Sequence, residues 1–458
     1  MTEALLLVLA IVSIIMALVT AKICSGRTAA LGPLLLYVAG SILFINIGFI
    51  KYFLTYRMQS WAADALFSIS LGLFMVAVGG FVGGLIFKTP ITWPNITRVQ
   101  LESDIPYPIA MSTALVIFSL VLLYFYFLGY IPLIEGIRTL VTEGFRPGLT
   151  NTFRVGRDVY VNPDATYIPM QGFMEAMRYF GLPIVAIWFL HYFRMGIKKK
   201  LSMLMVITAV VLIISTGQRW PLMYMILSLI IYRSWTEPNP QRFRRFLVIT
   251  VAMAAIAGIF LSALLGRATM YGLNLYQMLV FGIEDLANRI LFGNVRIPFF
   301  SYQMFSMDHN WLYGWSWIQN LISYLPGPDP SYPVTFYQLV TGDPKGFTAP
   351  PDFYTEAYIN FGWLGVIVVP FFWGMGLASF QSMVVKPNTG LLRLSISVIL
   401  TVLVSFSAMS GAVFIFGGII ISLFIFLLVK GQKALFFCRG VTKIPYEHTV
   451  FIASRNRL

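Results

Sequence analysis

The sequence predicts an all-α polytopic membrane protein with about eleven transmembrane helices. Three observations carry that reading. The 458 residues are 58% hydrophobic and only 11% charged, where a soluble chain carries about 25% charged residues. The mean hydropathy is +0.79. The apolar runs are continuous and long enough to cross a bilayer, which takes roughly 20 residues each. A β-barrel would instead alternate apolar and polar residues in segments of about 10.

The first apolar run, Ala4 to Thr20, lacks a basic leader and a cleavage site, so it reads as a retained helix. Spans are expected near 3–22, 31–53, 62–87, 110–133, 173–193, 201–216, 220–234, 246–265, 361–385, 391–408 and 411–429. Two long loops, 134–172 and 266–360, interrupt the series. Loops of that length are uncommon unless functional or disordered. These two are too rich in Tyr, Trp, Phe and Pro for disorder. They are expected to hold short amphipathic helices. No repeat or linker divides the chain, so 1–458 reads as a single transmembrane domain.

Charge sets the expected orientation, because short basic loops stay in the cytoplasm. The basic clusters are 194–200, 233–245, 386–393 and the tail from Lys430. Eleven spans put all of them on one side, with a cytoplasmic C-terminus, and put the N-terminus and both long loops outside. The inside segments then hold 20 Lys+Arg against 4 Asp+Glu, and the outside segments 12 against 14. The net charge of +14 thus reflects topology, and nucleic acid is excluded as a partner. Ten of the twelve outside bases are Arg, whose planar fork grips phosphate or carboxylate. They favour an anionic ligand on the outer face. Lipid headgroups and neighbouring acids are the plainer partners for any one of them.

Cys24 and Cys438 both fall inside, so neither a disulfide framework nor a thiolate metal site is suggested. His191, His309 and His448 have no metal-ligand spacing. No Walker A, HExxH or GxGxxG motif stands where it would be meaningful. No cofactor and no metal are expected.

Four stretches could carry chemistry. In Ser215–Pro221 (STGQRWP) two apolar segments meet almost without a loop. A tight turn there mounts Arg219 rigidly at the outer boundary. An interfacial snorkelling Arg beside an aromatic belt residue is the plainer account. Arg267 follows a span on the side where the positive-inside bias disfavours it. The stretch 284–317 holds Glu284, Asp285, Arg289, Arg296, Asp308 and His309, the only outer histidine. It also holds Trp311, Tyr313 and Trp315, which suit either a sugar-stacking platform or helices lying on the membrane. Last, in TAPPDFYTEAYINFG (348–362), Asp352 and Glu356 are four apart and share a helix face, beside Tyr354. Glu356 suits a general base, and equally a first-turn acid favoured by the helix dipole. The proposed span centres hold essentially no ionisable residues, whereas ion-coupled transporters use such residues as relays. Ser397, Thr401 and Ser405 recur at i, i+4, and Gly79–Gly80 and Gly83–Gly84 form pairs. Both patterns read as close helix packing.

Three of these stretches resemble the Wzy-type O-antigen polymerases, a family of oligosaccharide repeat-unit polymerases. STGQRWPL is similar to that family's TxGxR element, and LYGWSWIQNLISYLPGPDP to its outer-loop pattern. TAPPDFYTEAYINFGWLGVIVVPFFWGMG is similar to its loop-to-span signature. The family's Arg-x10-Gly motif is missing. The resemblance implies a GT-C-like fold and a metal-independent glycosyltransferase in the bacterial inner membrane. Such an enzyme joins undecaprenyl-diphosphate-linked glycans on the periplasmic face. A chain-length regulator protein is a further implied partner, beside membrane lipid. Arg219, Arg267, Arg289 and Arg296 would then hold the diphosphate. Trp311, Tyr313, Trp315 and Tyr354 would meet the glycan. Glu356, His309 or Asp352, in that order, would deprotonate the acceptor hydroxyl. An O-antigen ligase, which differs in its acceptor, and a lipid-linked oligosaccharide flippase are the alternatives.

Overall fold

The computed structural model describes residues 3–25, 31–87, 104–143, 171–215, 219–237, 239–265, 275–308, 311–322, 332–342, 350–384, 389–411 and 413–438. Every element among them is a helix. In chain order, α1 (Glu3–Ser25), α2 (Pro33–Tyr56), α3 (Ser60–Phe87) and α4 (Tyr107–Leu128) precede the short α5 (Pro132–Glu143). Then come α6 (171–194), α7 (Lys199–Ile214), α8 (Arg219–Thr236) and α9 (Pro240–Leu265). Four short helices follow: α10 (Leu275–Asn288), α11 (Arg296–Asp308), α12 (Trp315–Ile322) and α13 (Tyr332–Thr341). The last are α14 (Phe353–Val384), α15 (Leu391–Ser410) and α16 (Val413–Cys438).

Seven of these, α1 to α4 and α14 to α16, are long and apolar enough to cross a membrane. The other four stretches expected as spans, α6 to α9, are also helical. Apolar side chains surround the seven, as they must where one face meets lipid and the other meets protein. α15 is the central one: 83% of its apolar window is buried, against 33–61% for the rest. The hydroxyls of Thr401 and Ser405 donate to carbonyls one turn back, at 2.8 and 2.7 Å. Its small-polar stripe is buried within the bundle. The glycines of α3 let α14 approach closely. A Cβ on Gly79 would lie 1.9 Å from the Phe371 carbonyl oxygen.

Contacts sort the helix ends into two groups. At the end that carries the basic clusters, Gln381 Nε2 donates to the Cys24 carbonyl at 2.9 Å. Trp235 Nε1 donates to the Leu31 carbonyl at 3.0 Å. Asp104 accepts from the Leu392 amide at 3.1 Å. At the opposite end, Arg57 pairs with Glu3 at 3.8 Å, and the Leu133 amide donates to the Ser215 carbonyl at 3.0 Å.

The sequence places 353–360 on an outer loop, and here the structure differs. Residues 353–361 form a short helix that folds back into the bundle. The helix axis breaks at Gly362, with φ 60° and ψ −148°, a conformation costly for any residue with a Cβ. Beyond it, 363–384 runs as a span. Tyr358 packs on Trp363 beside the break, at 5.1 Å between centroids. Phe353 packs on Trp373 at 5.3 Å. Ten residues of helix separate Gly362 from the level of Trp373, about 15 Å at 1.5 Å per residue. Asp352 and Phe353 thus lie about halfway down the span. Every residue from Pro351 to Asn360 is buried. Irregular backbone at that depth is tolerated only when protein encloses it.

Candidate functional site

A stretch more than 30 residues upstream closes over this buried helix. Its free carbonyls at Ile359 and Asn360 accept from the Leu312 and Tyr313 amides, at 3.1 and 3.0 Å. A helix end in the interior requires such donors. The Gly314 amide donates to Asn360 Oδ1 at 2.9 Å. To make these contacts the chain turns left-handed at Tyr313 (φ 46°) and Gly314 (φ 89°), which is uncommon for a bulky residue. Trp311 fills the space over Gly362, where a Cβ would come within 3.0 Å of its ring. Its ring meets Tyr358 edge-on at 5.2 Å.

At the centre of this clasp is Glu356, 1% exposed. Ser316 Oγ donates to its Oε1 at 3.0 Å, and Asn320 Nδ2 donates to the same oxygen at 3.3 Å. Asn360 Nδ2 donates to Ser316 Oγ at 2.7 Å and to the Glu356 carbonyl at 2.8 Å. Oε2 faces the backbone of Gly411, where α15 ends with φ 58°. A Cβ there would lie 2.1 Å from that oxygen. A hydroxyl and an amide thus hold Oε1, and a glycine leaves room for Oε2.

Asp352 is held differently. Its Oδ1 accepts from the Tyr354 and Thr355 amides at 3.0 and 2.9 Å, and the Thr355 hydroxyl donates to Oδ2. It is the N-cap of the buried helix. The cap occupies the positive end of the helix dipole, where an anionic ligand would otherwise sit.

The sequence-predicted residues divide accordingly. Glu356, Trp311, Tyr313 and Trp315 come together, with Tyr313 77% and Trp315 54% exposed on the surface of the clasp. Tyr354 does not join that surface. It is fully buried, its hydroxyl 3.0 Å from Ser41 Oγ, and its ring lies against Gly72. It is a core residue. Arg219 begins α8, and Arg289 begins a π-helical turn, Arg289–Gly293. Arg296 is exposed at the start of α11. Arg267 and His309 lie outside the described residues. Among the described residues no three His, Cys, Asp or Glu cluster as metal ligands. The chain matches no protein-family model, no curated protein and no solved structure.

One residue not singled out by sequence is Arg178. It is fully buried in a second π-helical turn, Met177–Gly181, between the rings of Tyr124 and Tyr179 at 5.4 and 5.1 Å. Tyr179 packs on Tyr224 of α8, and Tyr224 on Phe406 of α15. Phe406 is five residues from Gly411, about 7.5 Å of rise. Arg178 and the start of α8 thus flank the same end of α15 as Glu356. The available signal was an arginine more than one turn inside an expected span, since intramembrane charges are expensive.

Proposed function

We propose that this protein polymerises undecaprenyl-diphosphate-linked oligosaccharide repeat units by glycosyl transfer at the periplasmic face of the bacterial inner membrane. Eleven helices cross the membrane in this reading, with a GT-C-like arrangement, and the basic end faces the cytoplasm. One observation carries it. Two of the stretches on which the family resemblance rests, 312–320 and 352–362, join in a single hydrogen-bonded network around Glu356.

The chemistry follows from the groups available. The acceptor sugar's hydroxyl oxygen attacks the anomeric carbon of the carrier-linked glycan. Its proton passes to Glu356 as general base. The bond from the anomeric carbon to the diphosphate breaks, and the diphosphate leaves with the electron pair. Arg219 and Arg267, with Arg178 added, stabilise the charge that develops there. Arg289 and Arg296 stay candidates for the same anion. Tyr313, Trp315 and Trp311 offer apolar faces to the sugar rings. Asp352 caps the helix that presents Glu356.

A transporter is the second reading, and a specific observation favours it. Buried carboxylates on a discontinuous helix at mid-depth are what alternating-access transporters use. The two readings separate in detergent, where no membrane has two sides. Purified protein given lipid-linked repeat units should form a multi-repeat ladder without vesicles. A transporter would leave single repeats unchanged. A ligase would need a different acceptor. In cells lacking their own polymerase, this gene should restore the ladder, and Arg219→Ala should abolish it at equal protein level. A normal ladder from that variant removes Arg219 from the mechanism.

A further inference from the structure

Tyr332 opens α13 and takes no part in the network above. It is 2% exposed, and its hydroxyl has no hydrogen-bond partner among the described residues. Its ring packs on Phe336 at 5.9 Å. Gln319 Nε2 donates to Thr335 Oγ1 at 2.8 Å, which ties α13 to α12 one residue from Asn320. Asn320 in turn holds Glu356. Burial pushes the Tyr332 hydroxyl far up from its ordinary pKa, and the nearby Glu356 charge pushes it further. The phenol therefore stays protonated, as a donor beside an acceptor.

A hydroxyl buried without a partner is destabilising, and phenylalanine would fill the same space without that cost. The partner is expected to arrive with a ligand. It must accept from a phenol while tolerating a carboxylate alongside. A phosphate would accept from the phenol but be repelled by Glu356. Neighbouring sugar hydroxyls meet both demands, because each both donates and accepts.

We infer that Tyr332, Asn320 and Glu356 form a subsite for two adjacent hydroxyls of the acceptor sugar. Tyr332 donates to one oxygen while Glu356 accepts from the other, which is the one that attacks. Tyr332 thereby selects the acceptor. The inference rests on the polymerase reading for the acceptor, and on the unpartnered Tyr332 hydroxyl near Glu356 for the hydrogen-bonding chemistry of the ligand.

Tyr332→Phe removes only the hydroxyl. With purified protein in nanodiscs, the KM for lipid-linked repeat unit should rise about tenfold, with kcat changed far less. The unfolding temperature should hold or rise, since no hydrogen bond within the protein is lost. An unchanged KM, or a lowered unfolding temperature, overturns the subsite. A binding arm separates this from the function itself. Methyl glycosides of glucose, galactose, mannose and N-acetylglucosamine are titrated against tryptophan fluorescence, with Trp315 and Trp317 on α12 as reporters. If the wild type binds a glycoside and the variant binds it about tenfold more weakly, the subsite stands even where no polymer forms. Polymer formation with equal KM in both proteins sinks the subsite and leaves the polymerase.

Discussion

Glu237 and Glu356 are both buried carboxylates, 5% and 1% exposed, at opposite ends of the bundle. Glu237, at the basic end, sits between two guanidinium groups, Arg233 at 2.8 Å and Arg194 at 3.5 Å. Arg194 also donates to Thr236 at 2.9 Å. The Arg233 pair is local, at i,i+4, and the Arg194 pair fastens the end of α8 to α6. Glu356 is met by the Ser316 hydroxyl and the Asn320 amide, both from a different part of the chain. The first carboxylate is neutralised where it stands. The second is oriented. Removing one member of a buried ion pair strands the other charge, whereas a carboxylate bonded by a hydroxyl and an amide is held in a fixed direction.

The largest effect expected from this contrast is on activity. Glu356→Gln keeps an acceptor for Ser316 and Asn320 but cannot take a proton. Ladder formation by purified protein should fall by about 10²- to 10⁴-fold, the usual contribution of a general base. The unfolding temperature should hold. Loss of folding together with activity would make Glu356 a structural pin like Glu237.

Glu237→Ala should do the reverse. Removing one partner of a buried pair leaves Arg233 and Arg194 facing each other uncompensated. The expected loss is about 2–3 kcal/mol of stability, below the roughly 3–5 kcal/mol typical of fully buried pairs because both arginines are partly exposed. Activity per folded molecule should stay close to wild type. A stable variant with slow turnover would break the division of labour between the two ends.

Most of the fold was legible because a membrane span is written in one long apolar run. The helix at 353–361 was not, and the reason is physical. FYTEAYINF mixes apolar residues with Thr, Glu and Asn, which ordinarily marks an interface. It is buried because Leu312, Tyr313, Gly314, Ser316 and Asn320 supply its polar partners. Periodicity carries no record of partners 40 residues upstream. The acid pair itself was visible, and so was the reading of Glu356 as a first-turn acid. Glu356 does stand in the first turn, and the cap just before that turn is Asp352. Tyr332 gave no signal, since a lone Tyr beside a Pro-rich turn is unremarkable until its hydroxyl is seen to lack a partner.

The smallest effect sharpens the comparison most, because it sets two carboxylates of one helix against each other. Asp352 serves through its side-chain oxygen, which accepts from the Tyr354 and Thr355 amides. Serine caps helices about as well as aspartate. Asp352→Ser should therefore cost only about 0.5 kcal/mol in unfolding, and polymer formation should stay within about twofold of wild type. Asp352→Ala removes the cap and should cost about 1 kcal/mol. A base cannot be replaced by serine in this way. If Asp352→Ser folds normally but makes no polymer, the proton goes to Asp352, and the hydroxyl and amide around Glu356 become a structural tie. If it works, the cap and the base are different residues one turn apart, and the buried helix exists to hold the second by means of the first.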